Sequence, residues 1–92
     1  MATTDLHVSH EAVVKRLKRA HGHLQNVIAM LSEDRACLDV AQQLHAVERA
    51  IAAAKKQLIH DHIDHCLDHA LGTPATSSRQ ALGEFKAITK YL

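Results

Sequence analysis

The chain has 92 residues, with 11 Lys and Arg against 10 Asp and Glu, nine His, two Cys, one Phe, one Tyr and no Trp. That length makes one domain with a thin core, which self-association would complete, and an aliphatic composition almost without aromatics favours helices over a sheet. Apolar runs are only a few residues long and no basic segment leads into a hydrophobic one, so neither a membrane span nor a signal peptide is expected, and the protein is read as cytoplasmic.

Residues 1–8 are polar and aperiodic and are expected to form a flexible arm, with residues 9–92 as the single functional domain. Ser9 is a candidate N-cap, and Glu11 in the first turn suits the helix dipole. The first helix is expected over about 9–31. Its apolar seam is Val13, Leu17, Ala20, Leu24, Val27 and Leu31, alternating steps of four and three that pack against another helix at a shallow angle. Gly22 inside it marks a possible close approach.

Ser32 to Ala36 is a short polar connection, so the first two helices should form an antiparallel hairpin. Cys37 or Asp39 opens the second helix, expected over about 38–71. Its row is Leu44, Val47, Ile51, Ala54 and Leu58, with no Gly or Pro to interrupt it. Gly72 reads as a C′ residue and Pro74 as a stop. Thr73 to Ser78 is small and polar. Ser77 with Gln80 fits a capping box for a third helix over about 77–91, whose apolar row is Ala81 or Leu82, Phe85, Ile88 and Leu92.

The chemistry concentrates between Cys37 and Cys66. His62 follows Leu58 by one turn and Cys66 follows His62 by another, so imidazole and thiol leave one helix face about 6 Å apart, at metal-ligand spacing. Cys37 lies 25 residues before His62, roughly 37 Å of helix at the usual rise. One chain cannot join them. Two copies packed antiparallel can, giving a two-fold dimer with two equivalent sites. In a reducing compartment the two cysteines read as free thiols or metal ligands rather than a disulfide.

Two thiolates and one imidazole suit Cu(I), whereas Zn(II) or Ni(II) would want a fourth ligand, for which His7, His10 and His65 are candidates. The same residues also fit a plainer reading, with two small buried thiols and a surface histidine. Lys15, Arg16, Lys18 and Arg19 cluster with no acid at the i+4 position, which leaves their charge for phosphates or simply for solvent. Single-strand recognition is poorly served without aromatics to stack on. No Ser-His-Asp arrangement, Gly-rich phosphate loop or paired carboxylate points to an enzyme, so no catalytic residue is assigned.

The segments VVKRLKRAHGHLQNVIAML, CLDVAQQLHAVERAI and KKQLIHDHIDHCLDHAL resemble the CsoR/RcnR family of metal-responsive transcriptional repressors, from about His10 to Leu92. The resemblance implies an all-α, three-helix protomer. It further implies an antiparallel four-helix-bundle dimer that assembles into a tetramer, and double-stranded operator DNA bound without a helix-turn-helix. The copper sensors' Cys, His and Cys ligands fall on Cys37, His62 and Cys66, the last two from the neighbouring subunit. The family's DNA-contacting basic residue on the first helix falls on Arg16, beside Lys15, Lys18 and Arg19. Metal binding would favour a tetramer conformation of lower DNA affinity.

Ala36 stands where the copper sensors have a Tyr, and Glu84 falls near their third-helix Glu. Nickel and cobalt sensors add an N-terminal ligand at a position matching Asp5, near His7 and His10, and the wording of the sequence is also similar to a subgroup linked to nickel resistance. Formaldehyde-sensing relatives use the first Cys with an N-terminal amine. The expectation is therefore a repressor released by a thiophilic metal, Cu(I) ahead of Ni(II) or Co(II). The alternatives are a formaldehyde, electrophile or persulfide sensor acting through Cys37, and a metal-storage module that binds no DNA.

Overall fold

The computed structural model describes the backbone of residues 2–72 and 75–92, and the side chains of residues 10–65, 79–80 and 82–92. Its described residues form three helices and no strand: α1 is Ala2–Ser32, α2 is Cys37–Gly72 and α3 is Ala75–Ile88, followed by a 3-10 turn at Thr89–Tyr91. The protomer is all-α. Three boundaries differ from the sequence expectation. Helix α1 starts at Ala2 rather than Ser9, since no Gly or Pro in residues 2–8 opposes continuation. Helix α3 starts at Ala75, so Ser77 and Gln80 lie inside it rather than forming its cap. Gly72 is the last residue of α2, and the expected break at Thr73 and Pro74 lies outside the described residues.

The chain divides into two compact units, Glu11–Lys55 and the combination of Met1–His10 with Lys56–Leu92. The first is an antiparallel hairpin. Val27 packs with Val40 and Val47, flanked by Leu24 and Met30, while Val13, Ala20 and Ala54 are buried as well. Val13, Ala20 and Val27 recur every seven residues on α1, as Val40, Val47 and Ala54 do on α2, so each helix buries one row of a coiled-coil-like seam. The alternate seam positions stay open. Leu17, Leu31, Leu44 and Ile51 are exposed, the last two at 46% and 44%.

The turn between these helices is a Schellman motif. Arg35 N donates to Met30 O at 3.1 Å and Asp34 N to Leu31 O at 3.3 Å, satisfying carbonyls that the end of α1 would leave orphaned. Asp34 occupies the left-handed position with φ 56°, where Gly is the usual choice and Asp is tolerated. Helix α2 then opens at Cys37, with Ala36 O accepting from Val40 N at 3.1 Å and Asp39 in the first turn against the positive end of the helix dipole.

In the other unit, Ile59 on α2 is buried, while Phe85, Ile88 and Thr89 toward the C-terminus are half-buried. Thr89 Oγ1 donates to Lys86 O at 2.7 Å, joining α3 to the 3-10 turn.

Candidate functional site

Cys37 is the first residue of α2, and its thiol is free and exposed. His62 lies on α2 in the other unit with its side chain one-third exposed, and α3 sets Glu84 opposite it. His62 Nε2 and Glu84 Oε2 are 3.8 Å apart, too long for a hydrogen bond but within ion-pair range. A metal-binding histidine commonly presents one ring nitrogen to the metal and the other to a carboxylate. His62 fits that pattern, with Nε2 turned to Glu84 and Nδ1 left for a ligand bond.

The remaining ligand candidates are less clustered. His65 is half-buried and, like Asp61, takes part in interactions of its own. His10 is exposed. The side chains of Cys66 and His7 lie outside the described residues. Among the described residues of one chain, no three His, Cys, Asp or Glu side chains converge as a metal site.

The basic cluster of α1 is split by the helix. Arg16 and Arg19 line a cleft of about 210 Å³ together with Ala20, His23, Ala50 and Ala53. Positions 16, 19, 20 and 23 share one face of α1 at helical spacing, whereas Lys15 and Lys18 are rotated away from it. All four cations are exposed. His23, which sequence reasoning passed over, is fixed there because its Nε2 lies 2.7 Å from Gln43 Oε1 on α2. Twenty residues separate that pair, and no local pattern signals it.

A family model described as metal-sensitive transcriptional repressor matches residues 9–91. The chain belongs to this family. The description is of a repressor, not an enzyme. The chain is 40% identical over 60 residues to the copper-sensing transcriptional repressor CsoR of Mycobacterium ulcerans, covering 65% of this chain and 51% of that protein. It is 33% identical over 67 residues to CsoR of Mycobacterium tuberculosis H37Rv, covering 73% and 56%, and 32% identical over 82 residues to CsoR of Bacillus subtilis, covering 87% and 81%. The chain thus spans about half the length of the mycobacterial CsoR proteins it matches and most of the Bacillus one. No solved structure matches it significantly. Among the described residues, no helix of this family member is long and apolar enough to cross a membrane.

Proposed function

We infer that this protein is a cytoplasmic, metal-responsive transcriptional repressor that binds double-stranded operator DNA without metal and releases it when a thiophilic metal binds. Cu(I) leads over Ni(II) and Co(II), and the ligands are Cys37 of one subunit with His62 and Cys66 of the other. The observation that carries this reading is the His62–Glu84 pair, because a carboxylate behind one ring nitrogen orients the other for coordination and raises its basicity. Family membership and the copper-sensing names of the relatives support the same choice of metal.

Self-association follows from two features. The helical spacing of Cys37 from His62 needs a second chain, and the open row containing Leu44 and Ile51 offers it an apolar face. An antiparallel dimer, paired into a tetramer, satisfies both. Cys37 at the start of α2 stays accessible to the partner's helix. Bound Cu(I) supplies soft bonds to thiolate sulfur and imidazole nitrogen. Cys37, His62 and Cys66 then tie two subunits together, and His62 passes the constraint through Glu84 to α3. A coupling of ~1–3 kcal/mol suffices for release, since it lowers DNA affinity by roughly 5- to 150-fold.

The exposed thiol of Cys37 favours one second reading, in which an electrophile or persulfide modifies it directly. Anaerobic titration of the reduced protein with Cu(I) and, separately, Ni(II), with labelled upstream DNA reporting release, tests both. One Cu(I) per subunit with DNA release supports the copper site. Release by Ni(II) alone, with thiolate charge-transfer bands, brings in His7 or His10 as a further ligand. Release by neither metal, together with a mass adduct on Cys37, replaces the metal reading.

A further inference from the structure

The cleft on the hairpin is a built pocket rather than a bare charged face. Arg16 and Arg19 stand on one wall, His23 closes one end, and the space exists because Ala20, Ala50 and Ala53 keep the floor low. The His23 ring is held by Gln43 at 2.7 Å, so the lining is partly set before anything binds. Its volume of about 210 Å³ lies below the ~300–1,000 Å³ of drug-sized ligand pockets. That suits a small group. No lining residue is acidic, and two guanidiniums side by side present fork-shaped donors that match phosphate oxygens better than an ammonium does.

We propose that this cleft seats a single phosphate group, gripped by Arg16 and Arg19 over the alanine floor, the group coming either from a duplex DNA backbone or from free phosphate. Lys15 and Lys18, outside the cleft, supply only general attraction. The first source deepens the DNA-binding reading given above and rests on it; the second does not.

The alanine floor allows a test that leaves every charge in place, because Ala50→Leu fills the cleft. The wild-type protein, Ala50→Leu and a Lys15→Ala/Lys18→Ala double variant are titrated by calorimetry with inorganic phosphate and, across a salt series, with the upstream duplex. The wild type and the lysine variant should bind inorganic phosphate saturably, and Ala50→Leu should not.

If the duplex is the source, Ala50→Leu weakens it by about tenfold and reduces the salt slope by about 0.9 for each cleft engaged. Loss of inorganic phosphate with unchanged duplex binding assigns the cleft to the free anion. The proposal is overturned if Ala50→Leu binds both ligands as the wild type does, or if the lysine variant alone loses inorganic phosphate. Should Ala50→Leu lose its far-ultraviolet helicity, Arg19→Gln at an exposed position carries the test, with loss of inorganic phosphate expected and wild-type binding contradicting the cleft. A protein that seats inorganic phosphate but binds no duplex would end the repressor reading and leave the cleft standing.

Discussion

Glu84 Oε2 on α3 faces His62 Nε2 on α2 at 3.8 Å, which links the ligand histidine to the C-terminal helix. The position of Glu84 relative to the copper sensors was only approximate in sequence, yet α3 delivers it to the imidazole. Removing a carboxylate behind a metal-bound histidine commonly costs 10- to 100-fold in affinity or activity. Glu84→Ala should therefore weaken Cu(I) binding by roughly that factor in chelator competition, with operator affinity of the metal-free protein unchanged. Wild-type Cu(I) affinity and wild-type release in this variant would remove Glu84 from the account.

Cys37→Ala removes a thiol that is exposed and carries no part of the buried core. Metal-free DNA binding should be retained and metal-dependent release lost in a mobility-shift assay. Normal release in this variant would refute the site.

Asp34 occupies a left-handed backbone position at φ 56°. Left-handed geometry costs an L-residue roughly 1–2 kcal/mol, against an entropic penalty of about 0.5–1 kcal/mol for Gly. Asp34→Gly should raise stability by about 0.5–1 kcal/mol, read as a few degrees in thermal melts at fixed protein concentration. Asp34→Val should lower it. An unchanged or reduced melting temperature for the glycine variant would mean that the Schellman turn does not set the stability of the hairpin.

Leu44 and Ile51 are nearly half exposed while Val40, Val47 and Ala54 on the same helix are buried. Charges at the open positions should therefore act on association rather than on the protomer's own seam. Leu44→Glu with Ile51→Glu should reduce the mass found by light scattering while the far-ultraviolet helical signal is largely kept. An oligomer of unchanged mass would place the subunit interface elsewhere.

These positions also show what the sequence could and could not express. Alternating steps of three and four announced both long helices, because an apolar stripe is the direct signature of a packed helix face. That stripe carries two rows, and nothing in it distinguishes Val47, which the protomer buries, from Leu44, which it leaves for another surface. Ser9 and Ser77 looked like helix starts because their side chains can cap, but a cap is used only where the backbone stops being helical, and α1 and α3 begin earlier. The left-handed turn was hidden by its Asp. Contacts such as His23 with Gln43 and His62 with Glu84 depend on which helix faces meet, which residue spacing along one helix does not encode.

The central claim is that the ligands come from two subunits, and mixed dimers test it most directly. Cys37→Ala subunits and His62→Ala/Cys66→Ala subunits carry different affinity tags and are refolded together, so that only heterodimers survive two purification steps. Each variant alone should fail to bind Cu(I) tightly. In the mixed dimer one site loses every ligand and the other keeps Cys37 from one subunit with His62 and Cys66 from the other, so one tightly bound Cu(I) per dimer is expected. A mixed dimer that binds no Cu(I) would contradict the inter-subunit site, as would tight Cu(I) binding by either variant alone.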